Sequence, residues 1–265
     1  MAFGLIIIGD EILSGKRQDQ HFAKVRELLA ARGLKLAWVQ YLGDERARLT
    51  EAFRHSFDGA DVVFSCGGIG ATPDDHTRQS AAAALGVPLV LHAGARDQIA
   101  QHMAEINQPL TPERLRMGEL PQGAALIPNP YNRIPGFSLR RHHFVPGFPV
   151  MAWPMIEWVL DTYYRELFGV GAEAERGMLV RGLNEGTLTP LMDAVEQAFP
   201  GVRVYSLPRI DPAQRFRYEI DLGVKGPAET LDAAFAHLLS GVQELGGAIA
   251  AQADDQAMAQ ESSET

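Results

Sequence analysis

Apolar positions in the N-terminal part of the chain follow two patterns in turn: short unbroken runs, and longer stretches at helical spacing. Leu5-Ile6-Ile7-Ile8 is an unbroken run closed by Gly9-Asp10-Glu11, the pattern of a strand covered on both faces. Across residues 19–32, Phe22, Val25, Leu28 and Leu29 fall on one helical stripe, and Gly33 is placed to stop that helix. The same reading predicts strands at 34–42, 62–65 and 87–91 and helices at 46–57 and 74–85. Strand and helix alternating with short connections imply a right-handed, doubly wound α/β unit, three layers deep with a mostly parallel sheet in the middle.

Beyond it the pattern predicts two helical stretches within 93–118, interrupted near Pro109, a strand at 124–127 and a strand pair within 137–145. Arg140, Arg141, His142 and His143 read as solvated turn residues on a sheet edge, with a phosphate-binding patch as the alternative. The two histidines have no partner at zinc-ligand spacing. The first domain is expected to span 1–168, ending in the amphipathic stretch 151–168, and a linker to occupy 169–177. A small α+β domain follows at 178–250, patterned β-α-β-β-α, with Thr187 as a helix cap. In it Phe216, Tyr218, Ile220 and Leu222 alternate with Arg217, Glu219 and Asp221, as in a strand with one wet face. Residues 251–265 are polar and acidic, the composition of a disordered tail.

Composition narrows the function classes. At 265 residues, 46% hydrophobic and 22% charged, the chain has material for one large folded domain and a small one. A formal net charge of -9 argues against nucleic-acid and anionic-membrane partners, although local amides and a metal can still attract a small anion. The single Cys66 excludes an intramolecular disulfide, and its place at a strand end reads as a buried thiol rather than a nucleophile. The N-terminus lacks a basic leader, and its apolar run is too short to cross a membrane, so the expected location is cytoplasmic.

The strongest chemical signal is GGIGATPDD at residues 67–75, directly after the strand Val62-Val63-Phe64-Ser65. Gly67, Gly68 and Gly70 let backbone amides approach a phosphate with no Cβ in the way. Ile69 and Thr72 share the loop, and Pro73 suits the first turn of a helix begun by Asp74 and Asp75, with Thr77 just inside it. Carboxylates beside such a cradle favour a hard cation, Mg²⁺, bridging carboxylate and phosphate. The bland alternative is a glycine turn with acids complementing a helix dipole. Parallel strands would bring further carboxylates to the same edge: Asp10 and Glu11 after Gly9, and Asp44 from the loop before residues 46–57. Capping of that helix is the rival role for Asp44.

The strings IIIGDEILSG (6–15), YLGDERARL (41–49) and GGIGATPDDHTR (67–78) resemble the molybdopterin-binding domain of the MoaB/Mog proteins and of CinA-type competence/damage-inducible proteins. LPQGAALIPNPYNRIPGFSL (120–139) and FVPGFPVMAWPM (144–155) make the CinA side the closer likeness. The resemblance covers residues 1–168. It implies molybdopterin or a related phosphorylated ligand at the glycine loop, contact from Pro146-Gly147, and a homo-oligomer. In Mog-type relatives, acids matching Asp44 and Asp75 are implicated in metal-dependent adenylyl transfer, which makes these two the expected catalytic and metal-binding residues. CinA-type domains are associated with ADP-ribose hydrolysis, so a metal-dependent pyrophosphatase is the second reading and a noncatalytic oligomeric scaffold the third. Two departures stand out: Ile69 where Mog-type loops carry threonine, and Asp19-Gln20-His21 where the CinA group shows Asp-Thr-Asn. His21 reads as a helix-surface residue, with a polar ligand contact in place of the missing ones as the alternative. The amidohydrolase-type domain of longer CinA proteins has no counterpart in the string, and residues 178–250 are left a role in oligomerisation or in shaping the site.

Overall fold

The run Phe3–Ile8 forms strand β1, and every one of its residues is buried, because helices cover both faces of the sheet it centres. A computed structural model describes residues 2–170, 174–210 and 218–250. The chain divides into two units, residues 1–170 and 171–265. In the first, β1 is followed by α1 (Asp10–Leu13), α2 (His21–Ala30), β2 (Leu36–Leu42), α3 (Arg46–Asp58), β3 (Val62–Cys66) and α4 (Thr77–Leu85). Then come β4 (Leu89–Leu91), α5 (Ala93–Glu105), α6 (Pro112–Leu115), β5 (Glu119–Pro121), β6 (Ala125–Ile127), β7 (Gly136–Leu139), β8 (His142–Val145) and α7 (Pro149–Tyr163).

The central sheet runs β2-β1-β3-β8-β7-β6. Pairing is parallel from β2 through β8, and β7 lies antiparallel to both its neighbours. Side chains alternate across β1: Phe3, Leu5 and Ile7 pack with Val25, Leu28 and Leu29 of α2 and with α7, whereas Ile6 and Ile8 pack with Leu49, Phe53 and Phe57 of α3. The three-layer, mostly parallel α/β architecture is therefore as its pattern predicts. Among the described residues no helix is long and apolar enough to cross a membrane.

Three expectations about this unit are corrected. The strand expected at 87–91 is shorter, and it pairs with β5 in a separate antiparallel ribbon rather than joining the sheet. The helix expected at 74–85 starts only at Thr77: the Asp75 amide donates to the Thr72 carbonyl (3.1 Å), so Pro73, Asp74 and Asp75 belong to a turn. His142 and His143 are not solvated edge residues. Their strand β8 lies between β3 and β7, and both side chains are buried, each with a polar partner as burial requires. His142 Nε2 lies 2.6 Å from Ser56 Oγ; His143 bridges Ser138 Oγ (2.8 Å, Nδ1) and the Tyr164 hydroxyl (2.7 Å, Nε2). Burial, reinforced by Arg141 and Arg140, pushes His142 down to about 4, and burial pushes His143 down to about 3.

The second unit contains β9 (Ala174–Arg181), α8 (Glu185–Ala198), β10 (Arg203–Ile210), β11 (Tyr218–Gly226), α9 (Ala228–Glu244) and β12 (Ala248–Ala250). Its antiparallel sheet, ordered β10-β11-β9-β12, is a split β-α-β arrangement. Ile220, Leu222 and Val224 of β11 are buried with Leu188 and Val195 of α8 and with Leu231, Ala234 and Leu238 of α9. Glu219 and Asp221, which alternate with them along the strand, pair instead with Arg181 and Arg209. Residues 174–177, expected in the linker, are the first half of β9, and the closing strand β12 was not foreseen. The cap of α8 is Asn184, whose Oδ1 accepts from the Thr187 amide at 3.0 Å; the helix starts two residues before Thr187. The expected tail at 251–265, together with Phe216 and Arg217, lies outside the described residues.

Candidate functional site

Because β1, β2 and β3 are parallel, the loops after Ile8, Leu42 and Cys66 leave the sheet at one edge, where open α/β sheets bind ligands. The first two loops clasp each other. The Asp10 amide donates to Asp44 Oδ2 (2.9 Å), the Asp44 amide donates to Asp10 Oδ1 (3.3 Å), and the Gly9 amide donates to the Leu42 carbonyl (3.0 Å). Asp44 therefore does not cap α3, whose N-cap position is Glu45. Partial burial raises the Asp44 carboxyl above its ordinary value, and the charges of Asp10, Glu11 and Asp74 push it further in the same direction. Carboxylates from three loops thus converge. Among the described residues no three His, Cys, Asp or Glu side chains are arranged to hold a metal ion by themselves. Mg²⁺ bound by one or two carboxylates and completed by phosphate oxygens does not need three.

The glycine loop is built on the end of β3. Cys66 is buried there, and desolvation pushes its thiol well above the ordinary range, so it stays a neutral packing group. The Gly67 amide is already engaged, donating to the Val145 carbonyl at 3.0 Å, so the expected anion cradle does not begin at Gly67. The four amides that follow are unengaged: among the described residues nothing accepts from those of Gly68, Ile69, Gly70 or Ala71. Thr77, at the start of α4, fixes the loop from below by donating its hydroxyl to the Gly67 carbonyl (2.9 Å) and its amide to the Gly68 carbonyl (3.0 Å). The Ile69 side chain is buried in the core cluster that includes Ile8 and Ala81, so the residue replacing threonine anchors the loop by packing.

Asp75 braces the loop from its far end, its Oδ2 accepting from the Thr72 amide (2.8 Å) and from the Thr72 hydroxyl. Asp74 is exposed, and hydrogen bonding from Thr72 lowers its carboxyl. Arg78, within the motif string but not foreseen as a site residue, is buried and donates to the Gly70 carbonyl (2.5 Å) and the Glu119 carbonyl (3.1 Å), and also to that of Arg116. Burial lowers its guanidinium from the usual arginine value.

These loops enclose a cavity of about 390 Å³. Gly9, Glu11, Asp44, Gly67, Gly68, Ile69, Gly70, Thr72, Asp74, Asp75, Pro146 and Gly147 all line it. Asp10, Pro73 and Thr77 do not line it, and Asp10 and Thr77 act through the hydrogen bonds to Asp44 and the glycine loop. Arg17 and Met117 line it from outside the motif strings; Asn129, Asn132, Phe148 and Met151 line it from within two of them, Phe148 in the loop expected to close over the ligand. His21 is buried rather than on the surface, and its Nε2 holds the Gly147 carbonyl at 3.0 Å. A larger hollow of about 700 Å³ lies between β2 and α3, around Trp38, His55 and Asp61, but it shares none of the glycine-loop amides.

Residues 4–166 match the family described as probable molybdopterin binding domain. Over 256 residues the chain is 30% identical to a protein of Aeropyrum pernix, covering 92% of this chain and 95% of that one. It is 32% identical over 206 residues to a CinA-like protein of Syntrophotalea carbinolica, covering 74% of this chain but only 50% of that longer protein. Among solved structures it is similar to the CinA protein of Thermoplasma acidophilum, with a TM-score of 0.55, 26% identity, and coverage of 61% of this chain and 98% of that one. With five motif blocks on one sheet edge and a family match across most of the first unit, the chain belongs to the molybdopterin-binding-domain family and is of the CinA-like type.

Proposed function

We propose that the first unit binds a phosphorylated pterin or a related nucleotide, with phosphate on the amides of residues 68–71 and Mg²⁺ between that phosphate and Asp44 and Asp75. The observation that carries this reading is the run of amides without protein acceptors, opening into a cavity that also holds the carboxylates. A cavity of about 390 Å³ is within the size range of small-molecule sites. The test is a thermal-shift titration with molybdopterin and with ADP-ribose, each with and without Mg²⁺. Asp44→Asn and Asp75→Asn are expected to weaken Mg²⁺-dependent binding by about tenfold or more. Asparagine Oδ1 still accepts from the Asp10 and Thr72 amides, so stability should fall by no more than about 1 kcal/mol. A lowered melting temperature with unchanged affinity would make Asp75 a loop brace and nothing more.

A second reading is favoured by the cluster of carboxylates, Glu11, Asp44, Asp74 and Asp75, that lines the same cavity. In it, the same Mg²⁺ positions water for hydrolysis of a pyrophosphate-linked nucleotide such as ADP-ribose. Phosphate release from ADP-ribose in a coupled phosphatase assay, dependent on Mg²⁺ and lost in Asp44→Asn, separates turnover from binding alone. The reading includes a homo-oligomer, and a mass above that of one chain by light scattering at micromolar concentration is the expected result; a strictly monomeric mass removes that part.

A further inference from the structure

Asn129 and Asn132 lock the turn between β6 and β7, and the way they do so leaves one donor almost unused. Asn129 spends its whole side chain locally: Nδ2 donates to Asn132 Oδ1 (2.8 Å) and to the Ile134 carbonyl (2.9 Å), while Oδ1 accepts from the Tyr131 amide (3.0 Å). Asn132 Oδ1 takes two donors, Asn129 Nδ2 and the Ile134 amide (3.0 Å). Two donors converging on one atom fix that atom as oxygen, so the orientation of the Asn132 amide follows from the network. Its Nδ2 then faces a single partner, the thioether Sδ of Met151 at 3.6 Å, a weak acceptor. Asn132 and Met151 both line the glycine-loop cavity.

The same cavity is lined by Phe148, whose ring is 51% exposed. The planar guanidinium of Arg17 lies over that ring, 5.7 Å from its centroid, so a ligand ring stacking on that face takes the place of the guanidinium. Ile134 and Met117 add apolar surface nearby in the lining. A stacking face, an apolar lining and an under-used amide donor are what a flat heterocycle with an acceptor on its edge requires.

We propose that Asn132 is the residue that reads the ligand's ring, donating from Nδ2 to a carbonyl oxygen or ring nitrogen of a heteroaromatic system stacked on Phe148. The inference rests on the reading above that the glycine loop holds the phosphate. It assigns the ligand class as a ring-bearing phosphate ester and excludes a bare sugar phosphate as the preferred ligand.

The test is calorimetric titration of the full chain in Mg²⁺ with AMP, with dihydroneopterin monophosphate and with ribose 5-phosphate. One of the two ring ligands should bind about tenfold or more tighter than ribose 5-phosphate, and which one does so identifies the ring as purine or pterin. Asn132→Asp keeps Oδ1 for Asn129 and Ile134 but replaces the donor with an acceptor. Its extra negative charge weakens all three phosphates, so the ratio of ring ligand to ribose 5-phosphate is the readout, and that ratio should fall to within about twofold of one. Phe148→Ala, at an exposed position, should lower the same ratio and serves if Asn132→Asp does not fold. A wild-type ratio near one, with ribose 5-phosphate bound, overturns the ring assignment and leaves the phosphate site standing. An unchanged ratio in both variants overturns it as well. Failure of the wild type to bind any of the three removes the phosphate reading and this inference together.

Discussion

Gly67→Ala is expected to cost on the order of 3 kcal/mol of stability and to abolish binding at the glycine loop. Gly67 sits at φ 111°, and a Cβ there would run into the carbonyl oxygen of Ile8, with the carbonyl carbon 3.3 Å away. That obstacle is backbone at the end of a central strand, so it cannot rotate aside as a side chain would. Moving Gly67 instead breaks its hydrogen bond to Val145 and displaces the free amides that follow. Gly123 is the control: its φ is 87°, also in the left-handed region, but a Cβ there meets nothing within 4 Å. Gly123→Ala should therefore cost only the backbone penalty, about 1–2 kcal/mol, and leave ligand binding alone. Denaturant titrations of the two variants check this, and equal losses would show that the Ile8 contact is immaterial.

The second large effect is loss of stability in mild acid. In the unfolded chain His142 and His143 titrate near the ordinary value of about 6.5, whereas in the folded chain they are held at about 4 and about 3. Between those values the unfolded state binds more protons, so stability is full above about pH 6.5 and falls as pH drops toward 4, by up to about 1.4 kcal/mol per pH unit for each histidine. Asp61 and Asp161, whose carboxyls are lowered by Trp38 and by Arg32 respectively, add losses only below this window, and the raised carboxyl of Asp44 acts in the opposite direction. Denaturant midpoints measured from pH 7 to pH 4.5 should slope accordingly. His143→Gln, which keeps a hydrogen-bonding amide but cannot take up the proton, should reduce that slope by about half. An identical slope in the variant would assign the acid loss to other groups.

The part of the fold that could be read from the chain is the part where local pattern and tertiary position agree. Leu5-Ile6-Ile7-Ile8 and Val62-Val63-Phe64-Ser65 are apolar on both faces because they lie in the middle of the sheet, and the loops that follow them carry the motifs. The misread elements are those where long-range pairing decides. Two adjacent histidines look like an exposed turn until β8 is placed between β3 and β7, and no local feature of residues 140–145 reports that placement. Asp74 and Asp75 suit a helix first turn equally well as a tight turn, and the Thr72–Asp75 hydrogen bonds select the turn. The site divides in the same way. Its glycines, its carboxylates and the segments of Asn132 and Phe148 stand in recognisable strings, whereas Arg17 and Met117 lie outside them and join the cavity only when the chain folds.

Arg78 ties the two sides of the cavity into one mechanical piece. Through one buried guanidinium, the Gly70 carbonyl in the glycine loop is linked to the carbonyls of Arg116 and Glu119, which flank the cavity-lining Met117. Those two walls cannot part without stranding a buried cation from its acceptors, which sets a steep barrier to any separate movement. The third side, the segment from Pro146 to Phe148, is tied separately: His21 Nε2 lies 3.0 Å from the Gly147 carbonyl, and the Phe148 carbonyl accepts from the Met151 and Ala152 amides. If the cavity takes the phosphorylated ligand proposed above, weakening the His21 contact, rather than loosening the glycine loop, is the change that would speed its release.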